Sequence, residues 1–309
     1  MKRIFILFAA VVMSAGIAAA QDMAQATELY NNGAMELEMG NTAAALENFQ
    51  NALAMAETLG DEGADMVTNC KTYIPQLMLS VAKGMIKEEN YDGAVEQLNK
   101  TIETSNLYEA ADVAEEASGL IPQVYMTKGN NLLNEKNFAE AVPAYQKALE
   151  IDATNGMAAL RLGMALASLG KTDEAEAAFV QAAANGQETN ANKQLSNMFV
   201  KKAQASSKAK KYQEVLDFAA KSNQYLENAN AYRLAAGAAQ QLGKNAECIA
   251  SYEKYLELKP NAKDAAGVKF TIAALYQQGG DKAKAKEYYQ AISNDPQYGP
   301  SAQEQLKTL

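Results

Sequence analysis

The chain has 309 residues, and its 37 aspartates and glutamates outnumber its 28 lysines and arginines, which gives a formal net charge of −9 without any histidine. An acidic chain is a poor partner for nucleic acid, and a chain without histidine can build no Ser-His-Asp, Cys-His or H-E-x-x-H site. Only two cysteines occur, Cys70 and Cys248. We expect both thiols to be free and stability to come from packing.

The N-terminal segment has the order of a secretory signal peptide. Lys2 and Arg3 precede an apolar run, and Ala18 and Ala20 supply the A-x-A spacing of a cleavage site. A membrane anchor is the alternative, but the apolar segment 4–20 is short and rich in alanine, whereas a spanning helix takes about 20 more hydrophobic residues. We therefore predict that residues 1–20 are a signal peptide and that the mature chain is exported, either to the periplasm or into the medium.

One spacing of small and aromatic residues organises the rest of the chain. Ala175 comes twelve residues after Gly163, Phe179 four residues later, and Ala182 three residues after that. Two further strong copies read Gly33, Ala45, Phe49, Ala52 and Gly129, Ala141, Tyr145, Ala148. Weaker copies begin at Ala82, Ala203, Ala236 and Ala273, which makes seven. Small residues let two helices approach closely, and the aromatic ring fills the remaining gap.

This spacing resembles the tetratricopeptide repeat, a helix–turn–helix unit, and the resemblance is to exported bacterial members of that family. It covers nearly everything from residue 26 to residue 296. The resemblance implies an all-α fold, an α-solenoid of about seven such repeats, because single hairpins of this size depend on their neighbours for stability. We expect the solenoid to occupy residues 21–300 and residues 301–309 to cap it.

The early repeats are longer than the others. Their second-helix alanines are 49 and 47 residues apart, against 34 residues between the third and fourth repeats. We therefore predict elongated helices there. Pro75 and Pro122 lie in the two long spacers, and each marks either a kink in one long helix or the start of a new helix.

The resemblance also places a candidate binding surface. In a stacked array of this family, the first helices line the concave wall, and residues three before and one after each small position point into it. The predicted partner-binding residues are Leu79, Lys83, Met126, Asn130, Leu160, Met164, Val200, Gln204 and Arg233. Six residues before the small positions come further amides, such as Gln76 and Asn197. Amides can hydrogen-bond a peptide backbone, and flexible methionines adapt to varied side chains.

The alternative for this wall is that it is not accessible to a partner. Tight curvature of the solenoid, or the long early helices, would then cover its apolar side chains. Relatives that clamp the C-terminal carboxylate of chaperones use Lys, Asn and Arg at defined points, where this chain has Tyr30 with Ala34, or Met126 with Asn130. We therefore do not predict chaperone-tail binding. We expect Met126, Asn130, Leu160 and Met164 to lie together on the wall.

A cluster of lysines stands out in the acidic chain. Such a cluster is usually a helix face exposed to solvent. If it has a function, the lysines would attract an acidic partner or an anionic sugar. Its members are Lys193, Lys201, Lys202, Lys208, Lys210, Lys211 and Lys221.

The sequence therefore favours a periplasmic or secreted scaffold that binds a protein or an extended peptide in the concave groove. The alternative is a structural subunit of a cell-envelope assembly that uses outer ridges and the lysines. An enzyme with a carboxylate pair is the third possibility, but nothing marks any two carboxylates as a pair, and we predict no enzymatic activity. We predict no catalytic, cofactor or metal site and no membrane span in the mature chain, and the oligomeric state stays open.

Overall fold

The structure is a computed structural model that describes residues 17–309, with side chains from residue 21 onward. Most of the predicted signal peptide lies outside the described residues. Residues 17–309 contain fifteen α-helices and no strand, in accordance with the all-α prediction. They belong to two compact units, which meet in sequence between Ala158 and Ala159.

Within its described part, the first unit consists of three helical hairpins, in which each helix packs on the next along the chain. A short 3-10 turn, Gly60–Gly63, joins the first hairpin to the second. The helices are α1 (Ile17–Glu38), α2 (Thr42–Thr58), α3 (Ala64–Lys87), α4 (Tyr91–Leu107), α5 (Ala111–Asn134) and α6 (Phe138–Ile151).

The second unit has four hairpins and a final helix. A π turn, Ala183–Gln187, separates α8 from α9. The helices are α7 (Gly156–Ser168), whose first three residues belong to the first unit, α8 (Thr172–Ala182), α9 (Glu188–Lys208), α10 (Tyr212–Tyr225), α11 (Ala229–Gln241), α12 (Asn245–Leu258), α13 (Ala265–Gln278), α14 (Lys282–Gln290) and α15 (Gly299–Leu306).

The predicted ladder of small and aromatic residues forms the core of each strong repeat. A Cβ atom added to Gly33 would lie 3.1 Å from the Phe49 ring. The corresponding distance from Gly129 to the Tyr145 ring is 2.7 Å. These glycines are therefore needed because an aromatic ring of the same hairpin occupies the space of their missing side chains.

The early helices are long, as predicted. Both α3 and α5 have 24 residues, against 13 in α7. Pro75 and Pro122 lie inside α3 and α5, far from the first residue of each. The alternative in which each proline starts a new helix is therefore wrong, and each lies within one continuous helix.

The fifth hairpin differs from the expectation that only early repeats are elongated. Its first helix, α9, has 21 residues and follows the π turn. In that turn Gly186 has a φ of 83°, a value that a glycine adopts without strain. Four of the seven clustered lysines lie on this long helix: Lys193, Lys201, Lys202 and Lys208.

Candidate protein-binding surface

Three of the predicted wall residues are parts of the core. Leu79, Leu160 and Val200 are only 5%, 7% and 6% exposed. Leu79 belongs to a cluster that includes Val113 of α5, and Val200 belongs to one that includes Ala231 of α11. Leu79 and Val200 each lie three residues before the small residue of their repeat. Both are buried because the first helix of the following hairpin packs against them. The expectation that Leu160 lines solvent is wrong, because this side chain is buried.

The other predicted wall residues of the first unit are half-buried, and two of them, Lys83 and Asn130, contact polar groups of this unit. Lys83 pairs with Glu116 at 2.5 Å. Asn130 accepts a hydrogen bond from the Tyr145 hydroxyl at 2.9 Å. Met126 is half-buried on α5. Lys83 therefore contributes little free positive charge to this surface.

A pocket of about 340 Å³ lies between α3 and α5. Gln76, Leu79 and Lys83 line it from α3, and Asp112 and Glu116 line it from α5. Three positions that the repeat pattern assigns to the wall thus border one pocket. Its carboxylates outnumber its single lysine, so this pocket does not favour an anionic ligand.

The second unit has a pocket of about 390 Å³ between α7, α8 and α9, which we call the α7–α9 pocket. Met164 and Met198 face it from α7 and α9, and Phe179 of α8 also borders it, with only 1% of its surface exposed. Asn197 and Gln194 add amides. The other lining residues are Ala167, Ser168, Thr172, Lys201, Lys202 and Ala205. The pocket therefore combines adaptable apolar side chains with amides and cations.

The two amides of this pocket are available for a ligand. Neither the Gln194 nor the Asn197 side chain makes a hydrogen bond with another group in residues 17–309. Both are on the first helix of the fifth hairpin, and Asn197 occupies a predicted wall position. Their oxygen and nitrogen atoms can therefore accept and donate hydrogen bonds to a peptide backbone.

All seven lysines of the predicted cluster lie on α9, on α10 or in the turn between them. Lys211 pairs with Glu214 at 2.9 Å, and Lys221 lies 3.5 Å from Glu176. Lys202 lies 3.9 Å from Asp173. In the part of the chain that the structure describes, the other four make no ion pair: Lys193, Lys201, Lys208 and Lys210.

Arg233, another predicted wall residue, is exposed but holds a carboxylate. Its Nε atom donates to Asp264 Oδ2 at 2.7 Å, and the Tyr255 hydroxyl donates to Asp264 Oδ1 at 2.6 Å. The hydrogen bond from Tyr255, together with Arg233, holds the pKa of Asp264 below its ordinary value. Arg233 thus helps to fix the segment before α13.

Gln204, the last of the predicted wall residues, lies on α9 and is exposed.

Both cysteines are free, as predicted, and both are buried. Burial raises the pKa of the Cys70 thiol to about 12 and that of Cys248 to about 11. Neither thiol has the lowered pKa of an activated nucleophile. Among residues 17–309, no group of three or more His, Cys, Asp and Glu side chains is arranged to hold a metal ion. No helix in the described range combines the length and the hydropathy needed to cross a membrane.

The predicted wall residues thus fall into the core, into ion pairs and into two pockets, and their role in binding stays a prediction. The pattern found Met164 and Asn197, which line the α7–α9 pocket, but it did not single out Met198 or Gln194. Both of these lie on the same face of α9 as Asn197, at helical spacing, and that spacing is the signal that could have found them. That Met126 and Asn130 lie beside Leu160 and Met164 stays a prediction.

Comparisons with known proteins agree with the repeat pattern. One family model, described as tetratricopeptide repeat, matches residues 132–195. A second model of the same description matches residues 229–262 and 266–298. A comparison with curated proteins gave no match.

Several solved structures resemble parts of the chain. One is YrrB, described as a TPR protein with an unusual peptide-binding site, at 20% identity over 60% of this chain and 91% of that chain, with a TM-score of 0.33. Another is PilF of Pseudomonas aeruginosa, at 19% identity over 60% and 90%, with a TM-score of 0.29.

A third similar structure is the TPR2AB domain of yeast Sti1 in a complex with an HSP90 peptide. It matches at 18% identity over 91% of this chain and 95% of that chain, with a TM-score of 0.36. The family models and the seven helical hairpins agree on the repeat unit. The chain therefore contains tetratricopeptide repeats, and its fold is all-α and of the tetratricopeptide type.

Proposed function

We propose that this protein is an exported interaction scaffold that binds an extended segment of another protein in the α7–α9 pocket. The observation that carries the proposal is the composition of that pocket, in which two methionines and Phe179 lie beside two amides without partners in residues 17–309. Methionine side chains adapt to varied apolar residues, and the amides can satisfy the backbone groups of an extended peptide.

The size of the pocket supports a peptide more than a whole protein surface. Its volume of about 390 Å³ is at the lower end of the range of small-molecule sites, which is about 300 to 1,000 Å³. One or two anchoring side chains fit such a volume, and the rest of the partner would lie across the exposed wall residues, including Gln204. Affinity would then depend on a few anchors.

Export is part of the proposal and rests on the order of charged, apolar and small residues in the N-terminal twenty positions. The alternative role, a structural subunit of an envelope assembly, draws on the lysines of α9 and α10. Light scattering after size exclusion separates the two roles, because a monomer favours the scaffold and a fixed oligomer favours the subunit.

The test is site-specific photo-crosslinking in cells that produce the full chain. A photo-crosslinking residue at Met198 should capture a discrete partner, and the same residue at exposed Gln240 of α11 should not. Met164→Lys should abolish the capture at Met198, because an ammonium group would have to be desolvated against an apolar anchor.

Two further variants separate binding from folding. Met35→Lys introduces the same change at an exposed methionine of α1 and should leave capture intact. Leu160→Lys should unfold or strongly destabilise the chain, because Leu160 is buried, whereas Met164→Lys should melt within a few degrees of the parent chain. Equal capture at Met198 and Gln240, or capture unaffected by Met164→Lys, would contradict the pocket as the binding site.

A further inference from the structure

The α7–α9 pocket has a charge opposite to that of the chain. The chain as a whole carries a net charge of −9, whereas residues 188–225, which form α9 and α10, contain seven lysines and three carboxylates and carry +4. Two of these lysines, Lys201 and Lys202, line the pocket, and no aspartate or glutamate does. The pocket is therefore a locally positive site in an acidic protein.

The two ammonium groups are available to a ligand. Lys201 is exposed and makes no ion pair within residues 17–309. Lys202 lies 3.9 Å from Asp173, a loose contact to a carboxylate whose side chain is 99% exposed. An exposed pair of this kind contributes at most about 1 kcal/mol, so a ligand can replace Asp173 at little cost.

Aromatic rings position Lys202 beside the pocket. Its Nζ atom lies 5.1 Å from the centre of the Phe218 ring and 5.8 Å from that of Phe199. Lys221 approaches the Phe199 ring from α10 at 4.9 Å. The contacts of Lys202 hold its ammonium group beside the rings of Phe199 and Phe218 without neutralising its charge.

The apolar and charged parts of the pocket are adjacent. Met164, Phe179 and Met198 line the same pocket as the two lysines. A ligand that placed only an apolar side chain there would leave the ammonium groups without a partner, and one that placed only a carboxylate would leave the apolar surface uncovered. A segment that offers both satisfies both parts.

We infer that the ligand of the α7–α9 pocket is an extended polypeptide segment in which an aspartate or glutamate side chain lies beside a large apolar residue. This inference rests on the proposed function and names its ligand class. The apolar residue packs on Met164 and Met198, which border the pocket with Phe179. The carboxylate pairs with Lys201 and Lys202, the latter exchanging Asp173 for the ligand.

The pocket can take the carboxylate from a side chain of an internal segment. Lys201 and Lys202 lie two and one residues before the small position Ala203, on the face of α9 that lines the pocket. They are side by side in sequence, and their amide neighbours Gln194 and Asn197 continue along the same helix. A segment running along α9 can therefore use these groups in succession, which an internal stretch of chain does as well as a terminus.

The test is a selection from a library of displayed random segments of about ten residues, each held between fixed flanks so that none has a free C-terminus. The full chain serves as bait, and a parallel selection uses Met164→Lys. Segments lost with Met164→Lys are ligands of the pocket. We expect these to be enriched in Asp or Glu within two positions of Leu, Ile, Phe or Met.

Charge variants then test the two lysines. Lys201→Gln with Lys202→Gln should weaken an enriched acidic segment about tenfold or more and remove the preference for acids. The matched pair Lys208→Gln with Lys210→Gln removes the same charge outside the pocket and should weaken the segment less than about threefold. Asp173→Asn should strengthen binding by about two- to threefold, because Lys202 loses its competing partner.

The outcomes separate the inference from the proposed function. Pocket ligands without a preference for acids, or a preference that survives in the Lys201 and Lys202 variant, would overturn the inference and leave the peptide-binding function standing. A failure to select any segment that depends on Met164 would overturn both. Tighter binding of a synthetic segment with a free C-terminal carboxylate than of its amide, by about tenfold or more, would overturn the assignment to a side-chain carboxylate.

Discussion

A Cβ atom placed on Gly163 would lie 2.6 Å from Cδ1 of Phe179, so the backbone of α7 is in direct contact with an aromatic ring of α8. Phe179 is almost fully buried, with 1% of its surface exposed. The close approach of the two helices therefore depends on the absence of a side chain at Gly163.

Gly163→Leu should separate these helices and lower the free energy of unfolding by roughly 1 to 3 kcal/mol or more. Glu174→Gln, an exposed change in the same hairpin, should alter it by no more than about 0.5 kcal/mol. Urea unfolding of the parent chain and both variants checks the difference. Equal midpoints would show that the ladder has been assigned to the wrong residues.

The buried thiols should react slowly. The pKa of Cys248 is raised from 9.0 to about 11, and that of Cys70 to about 12. Each unit of pKa lowers the thiolate fraction about tenfold, so labelling near neutral pH should be at least about a hundredfold slower in the folded chain than in denaturant. Stopped-flow labelling with a chromogenic disulfide measures both rates. Rapid labelling of either native thiol would mean that its helix opens readily.

Asp264 should make stability depend on pH. Its folded pKa lies below its unfolded value, because Tyr255 and Arg233 stabilise the carboxylate. The resulting stability is present above the ordinary aspartate pKa of about 3.9 and is lost as pH falls through the lower folded pKa. Asp264→Asn should therefore cost about 1 kcal/mol near neutral pH, a value reduced by partial exposure, and progressively less in acid.

Thermal melts of Asp264→Asn and of the parent chain across this pH range measure the effect. Asp61→Asn, in the exposed turn before α3, is the matched control for replacing an aspartate by asparagine. A cost for Asp264→Asn that stays constant with pH would mean that the carboxylate contributes through shape and not through charge.

Lys136 should be replaceable by glycine with a gain in stability. Lys136 lies in the turn that follows α5 and has a φ of 62°. This left-handed conformation costs a residue with a side chain about 1 to 2 kcal/mol. The corresponding turn after α7 has Gly170 there, at a φ of 76°. Lys136→Gly should raise the unfolding free energy by about 1 kcal/mol. Lys136→Gln removes the same charge without relieving the backbone and should be near neutral in a parallel urea titration.

The exported protein should begin at Gln21. Intact-mass spectrometry of the protein recovered from outside the cytoplasm should match a chain that lacks residues 1–20, or the same chain with Gln21 cyclised to pyroglutamate. Recovery of a chain that retains Met1 in the cytoplasm would refute the export proposal.

The sequence by itself determined the repeat unit of this protein. Gly33 with Phe49 and Gly163 with Phe179 are contacts within single hairpins, between residues 16 apart, so a fixed spacing along the chain encodes them directly. The same holds for the elongation of α3 and α5, which follows from the wide spacing of the second-helix alanines.

The tertiary structure alone decided which wall residues face solvent and where the free charges lie. Leu79 and Val200 have the spacing of wall positions, yet Val113 of α5 and Ala231 of α11 belong to the buried clusters that contain them. Lys201 and Lys202 border the same pocket as Met164 because α9 lies against α7 and α8 there. Periodicity within one helix shows which side chains share a face, but the burial of that face depends on how closely the helices of other hairpins approach it.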